Sequence, residues 1–214
     1  MSTQDLTTLT ENKKNAEALV TAANRGTLKL LVHSREIAQL KELAAKGHVT
    51  VGGSAVIPPK ALLQTLVELL RFNSLTLMSL FRPGGSRHTK GKAIDISEYG
   101  GFKIDMRSPS AAAAESAINC VSKILENLPI GKYYLGLPRP RGGSARDPAN
   151  DVFLPVGPET PLRISPKRNY VEDIKLVKEK ARQAIQGALA RNPKPRILCL
   201  YPDSADHLHL DILT

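Results

Sequence analysis

The chain of 214 residues has no tryptophan, and only four phenylalanines and five tyrosines. That set advertises no stacking platform for bases or sugars. There are two cysteines, Cys120 and Cys199, far apart and each among apolar neighbours. They read as reduced core thiols, which argues against a disulfide scaffold or a cysteine-rich metal knot. No apolar run is long enough to span a bilayer, and the polar residues 1–26 lack the apolar core of a secretory signal. Synthesis in the cytoplasm, without a signal peptide or membrane span, is therefore expected. The Walker, dinucleotide-binding and Gly-x-Ser-x-Gly motifs are absent, so the chemistry each of them carries has no support. Acidic residues are also short: 20 against 30 Lys and Arg, a net charge of +10. This balance favours an acidic partner, whether nucleic acid, an anionic wall polymer or a membrane surface, or else serves solubility alone.

What is present suits a globular protein with one sizeable core, at 42% hydrophobic and 23% charged residues. The Thr-rich residues 1–11 read as mobile, and a weak helical period follows over 12–23. Residues 27–33 read as a strand. Ser34 reads as the cap of a helix with Ile37, Leu40 and Leu43 inward and Gly47 as its stop. Residues 48–57 form a strand or hairpin. Pro58-Pro59 opens a helix reaching residue 72, with Leu62, Leu63, Leu66, Leu69 and Leu70 on one face.

Residues 74–81 read as an apolar strand, Pro83-Gly84-Gly85 as a turn, 92–97 as a strand and 102–106 as its continuation past Gly100-Gly101. Ser108-Pro109 starts an alanine-rich helix to 127, with Ile118, Val121, Ile124 and Leu125 inward. A strand over 132–137 precedes a Pro-, Gly- and Arg-rich loop over 138–168 with a brief strand at 152–156. The longest helix is expected over 170–191, with Ile174, Val177, Ala181, Ile185 and Leu189 inward, and strands at 196–201 and 207–213 close the chain. Short β segments joined by tight turns predict antiparallel pairing. The expected fold is α+β: a small antiparallel sheet carrying the site, flanked by helices. Residues 1–54 form an N-terminal extension packed on the same domain, and 55–214 the functional domain.

Two stretches carry chemistry. One is Ser86-Arg87-His88-Thr89-Lys90-Gly91-Lys92-Ala93-Ile94-Asp95, the other Asp206-His207-Leu208-His209-Leu210-Asp211. A His-x6-Asp pair alone is a weak signal, but adding Ser86, Gly91 and Ala93 lowers the chance expectation to roughly one in ten thousand. Two histidines on alternate positions and a distant His/Asp pair can give a tetrahedral zinc three ligands and leave the fourth position to water. Such a donor set leaves the ion positive enough to draw a bound water's pKa toward neutrality. Gly91 would permit the turn joining His88 to Asp95, and Ala93 would leave room beside the ion.

Together the two motifs resemble the zinc peptidases grouped as lysostaphin, D-alanyl-D-alanine peptidases and hedgehog. The resemblance spans about residues 55–214 and is specific only at the motifs. It implies a small α+β domain, His88, Asp95 and His209 as zinc ligands, and hydrolysis of a peptide bond in bacterial cell walls. In the branch resembling lysostaphin and the penicillin-insensitive murein endopeptidases, the first histidine of His-x-His is catalytic, which corresponds to His207. In the branch resembling the D-alanyl-D-alanine dipeptidases, an acid three residues before the last ligand is the base, which corresponds to Asp206. The chain satisfies both patterns, and the commoner use of carboxylates as proton shuttles in zinc hydrolysis favours Asp206, with His207 assisting. On a regular strand His207, His209 and Asp211 share a face.

The resemblance also gives Arg82 the neutralisation of charge on the substrate; a surface arginine beside a Pro-Gly turn is the plainer reading. His33 and His48 have no partners at metal-ligand spacing. Arg139, Arg141 and Arg146 could hold an acidic wall stem or be solvated. The expected partner is a peptidoglycan stem peptide or cross-link in the periplasm or wall, reached after release or through a delivery or secretion apparatus. Two rival readings are a zinc-containing recognition domain without catalysis and a basic nucleic-acid binder, the latter without any recognition motif.

Overall fold

Threonine suits a helix poorly unless its hydroxyl bonds back to the preceding turn, and near the start of this chain it does so. Thr7, Thr8 and Thr10 donate to the carbonyls of Thr3, Gln4 and Leu6 at 3.1, 2.9 and 3.0 Å. Helix α1 (Thr3–Asn24) therefore includes most of the Thr-rich stretch expected to be mobile. The computed structural model describes residues 3–84, 87–105, 110–129, 131–137, 154–156, 178–193, 196–202 and 206–213. These form a mixed α+β structure in two compact units, Met1–Asp95 and Ile96–Thr214.

In the first unit α1 packs on α2 (His33–Lys46) and α3 (Lys60–Leu70). Helix α2 starts one residue before the expected Ser34 cap. Val32 takes the cap position without a side-chain bond, and its carbonyl accepts the Glu36 N–H. At the other end Gly47 is left-handed, φ 77°, and its N–H returns to Leu43 O as the glycine stop predicts. A Cβ at Gly47 would meet Leu9 O of α1 at 2.5 Å. Asn12, fully buried in α1, donates from Nδ2 to Gly47 O and Pro58 O at 3.3 and 2.8 Å. One amide thus joins α1 to the end of α2 and the approach to α3. Ala16, Leu19, Leu40, Leu43, Leu62, Leu63, Leu66 and Leu69 are all buried, and each leucine contributes roughly 1.5–3 kcal/mol.

β2 (Val49–Val51) and β3 (Ser54–Val56) form the expected hairpin. β1 (Leu28–Leu30) pairs with β4 (Leu75–Ser79) in parallel, Leu28 opposite Leu75. The chain between them holds α2, the hairpin and α3, long enough for the crossover that a parallel pair requires.

β5 (Ala93–Tyr99) runs across the boundary between the units. In the second unit it pairs antiparallel with the short β6 (Phe102–Lys103). Helix α4 (Ala111–Asn127) begins at Ser110, whose Oγ accepts the Ala113 N–H at 3.1 Å. Its Ile118, Val121, Ile124 and Leu125 are buried as expected, and it packs on α5 (Lys178–Arg191). Buried Asn192 donates to Leu125 O and Leu128 O at 3.3 and 3.0 Å, satisfying carbonyls at the end of α4.

β7 (Gly131–Leu137), β8 (Leu154–Val156), β9 (Arg196–Pro202) and β10 (Leu208–Ile212) complete the strand order β5-β10-β7-β9-β8. β10 is antiparallel to β7, and β8 to β9, while β7 and β9 are parallel. Ser86, the expected helix start at Ser108-Pro109, residues 170–177 and the 138–168 loop apart from β8 lie outside the described residues, as do the side chains of Ala181, Ile185 and Cys199. No described helix is long and apolar enough to cross a membrane.

The close approach at Gly47 yields a first prediction. Gly47→Ala adds left-handed strain and a backbone overlap with Leu9, so it should destabilise the fold by about 2 kcal/mol or more. A drop in the urea midpoint at unchanged slope reads this out. A loss below about 0.5 kcal/mol, the range of ordinary surface substitutions, would show that α1 does not rest on this glycine.

Candidate metal centre

The approach to His88 is set by backbone groups. Beyond β4 the chain continues through Leu80 and Phe81, both fully buried. Two side chains of α2 reach this segment. Glu36 Oε1 accepts the Leu80 N–H at 3.0 Å, and Gln39 Nε2 donates to Phe81 O at 2.8 Å. Leu80 O in turn lies 3.0 Å from His88 Nδ1. A carbonyl can only accept, so Nδ1 carries the ring hydrogen and Nε2 is left to bind something else.

That atom faces Asp95 Oδ2 at 3.3 Å, and both residues are 3% exposed. Two lone pairs at such a separation repel, and a cation between them, a proton or a metal ion, removes the repulsion. The turn joining the two residues closes through Gly91 N–H to His88 O at 3.1 Å and Lys92 N–H to Arg87 O at 2.9 Å. Gly91 has φ +68°, and a Cβ there would meet Val56 Cγ1 of the hairpin at 2.7 Å. The glycine is therefore required both by the turn and by the hairpin beneath it. Ala93 and Asp95 are alternate, buried positions of β5. Arg82, with a side chain 45% exposed, holds its guanidinium 3.9 Å from Asp95 Oδ2.

In the second unit His209 and Asp211 alternate along β10, opposite Gly136 and Tyr134 of β7. Gly136 places no side chain beside the His209 imidazole. Asp211 is buried and His209 half-buried. The strand starts at Leu208, so the shared face applies to His209 and Asp211, while His207 precedes the ladder. His207 Nδ1 lies 2.8 Å from Asp206 Oδ1. An ionised carboxylate only accepts, so this contact assigns a hydrogen to Nδ1.

His88 and Asp95 bring two ligand atoms together in the first unit, and His209 offers one in the second. Imidazole and carboxylate are donors that divalent ions such as zinc accept. No family model, curated protein or solved structure matches the chain. Sequence reading missed Leu80 O, Glu36 and Gln39. A backbone carbonyl has no residue signature, but Glu36 stands four and seven residues before Leu40 and Leu43, on the buried face.

Burial pushes the Glu36 carboxyl above its usual range, against the lowering effect of its bonds to Leu80 and Arg35. A carboxyl raised in the fold binds its proton more tightly there than in the unfolded chain. Its contribution to stability is then full below the unfolded value and is lost as pH rises through the folded one. Glu36→Gln lacks this titration, so its stability relative to the wild type should rise from pH 4 upward and then level off. Parallel stability curves for the two proteins would show that Glu36 does not titrate with folding.

Proposed function

We propose that the protein is a zinc-dependent hydrolase of an amide bond in bacterial cell-wall peptides, with His88, Asp95 and His209 holding the ion. The observation that carries this reading is the buried approach of His88 Nε2 to Asp95 Oδ2 at 3.3 Å, two ligand atoms at one point of the first unit. Two imidazoles and one carboxylate suit a catalytic zinc, and when bound the ion supplies Lewis-acid activation of a water and of the scissile carbonyl. The cell-wall substrate rests on the resemblance carried by Ser86, His88, Gly91, Ala93, Asp95 and the His207-x-His209 pair. A peptidoglycan stem peptide or cross-link is the substrate class.

The protein's own groups divide the remaining work. His207 Nε2 takes a proton from the attacking water and returns one to the leaving amine, while Asp206 holds the ring through Nδ1 at 2.8 Å. This exchanges the roles favoured on sequence alone, where Asp206 was the base. Its Oδ1 is engaged with the imidazole, which supports the orienting role. The Arg82 guanidinium, half-exposed near Asp95, balances negative charge growing on the carbonyl oxygen.

Purified protein should hold about one zinc per chain by elemental analysis, and His88→Ala or Asp95→Ala should lose it. Full occupancy in either variant would mean that other residues bind the ion. His207→Ala should keep zinc but lose muropeptide hydrolysis by about a hundredfold or more. Asp206→Asn, which weakens only the orientation of the ring, should lose less. A larger loss from Asp206→Asn than from His207→Ala would return the base to Asp206. Wild-type protein that holds zinc and cleaves no muropeptide would favour a recognition domain without catalysis.

A further inference from the structure

The arrangement around Leu80 has a component that the hydrolytic reading leaves unused. Glu36 is fully buried on α2, and its Oε2 has no hydrogen-bond partner among the described residues. A carboxyl in such a place is costly, and an apolar side chain would pack there without the penalty. What the carboxyl supplies is an acceptor for Leu80 N–H at 3.0 Å. Gln39, one turn along the helix, supplies a donor to Phe81 O at 2.8 Å. The chain before and after the Leu80 carbonyl is thereby tied to α2, the Leu80 N–H through Glu36 and the Phe81 carbonyl through Gln39. Between these ties Leu80 O receives His88 Nδ1.

We propose that Glu36 is a positioning residue for His88, acting through the Leu80 backbone. It fixes the carbonyl that selects the ring tautomer and aims Nε2 at the ion, an inference that rests on the metal reading above. Glu36 touches neither substrate nor ion. Its contribution is a preset imidazole orientation, which otherwise would be formed at the expense of binding free energy. The acceptor oxygen is what matters, not the charge. Gln can therefore replace Glu, and an apolar residue of similar volume cannot.

Full-length wild type, Glu36→Gln and Glu36→Leu are compared by zinc titration against a chromophoric chelator, with thermal unfolding of each followed in parallel. The His88 ring is also observed by nitrogen-15 NMR in the zinc-free proteins. Glu36→Gln should bind zinc within about threefold of wild type, and Glu36→Leu should bind about tenfold or more weakly while still folded. The hydrogen should sit on Nδ1 in wild type and Glu36→Gln, and should distribute between both nitrogens in Glu36→Leu. A side chain that only stabilises the fold would shift the melting temperature without moving zinc affinity or tautomer. Unchanged affinity and tautomer in folded Glu36→Leu would overturn the proposal. If wild type binds no zinc, the metal reading fails by itself, and the tautomer comparison alone decides for or against Glu36. Should Glu36→Leu not fold, Glu36→Asp takes its place with the same expectations, its carboxylate being one methylene short of Leu80 N–H.

Discussion

A single backbone carbonyl, that of Leu80, decides which nitrogen of His88 is available. Imidazole is a useful ligand or base only when its two nitrogens are told apart, and a neighbour that can only accept does this without ambiguity. The cost of placing that carbonyl is spread over elements well separated in sequence. β4 delivers Leu80 into the core, α2 ties the backbone on either side of it, and the turn over Arg87–Lys92 brings the ring back to meet it. The same logic recurs at His207, where a carboxylate takes the place of the carbonyl. A half-exposed carboxylate holds a ring less rigidly than buried main chain. That difference suits the ligand role proposed for His88 and the proton-exchanging role proposed for His207.

The features readable in the sequence were those with a local cause. The leucines of α3, the glycine stop of α2, the hairpin around Gly52-Gly53 and the inward face of α4 follow from periodicity and turn chemistry, and all are present. The His88–Asp95 turn was legible because glycine is needed at a defined offset within it. The Thr-rich start was misread because threonine's polarity was weighed without the bonds its hydroxyl makes one turn back. The parallel pairing of β1 with β4, and of β7 with β9, is set by how the chain crosses over between distant segments, which no short window contains. Glu36 was hidden for another reason. A charged residue on an apolar face is assigned to solvent by default, and Ile37, which is only half-buried, was given its inward position.

Several buried amides and hydroxyls serve the main chain rather than one another. Asn12 joins the ends of two helices, Asn192 closes the end of α4, and Ser116 donates to Tyr99 O and Phe102 O at 2.8 and 3.2 Å, tying α4 to the β5–β6 turn. Apolar surfaces can slide against one another with little change in energy. A buried amide that must meet two particular carbonyls cannot, because a slip leaves each group without a partner. Such contacts settle the register of α1 and α4 more than they add to stability.

The contact of Gly91 with Val56 makes the turn that carries His88 dependent on the hairpin below it. A two-stranded hairpin standing alone is at best marginally stable. Loss of the hairpin would take away the floor against which the turn is closed. On the proposed metal reading, the residence time of an ion at His88 would depend on the hairpin as well as on the ligand bonds. Under that proposal, affinity would be altered at the ligands and exchange rate at residues 49–56, which form the hairpin.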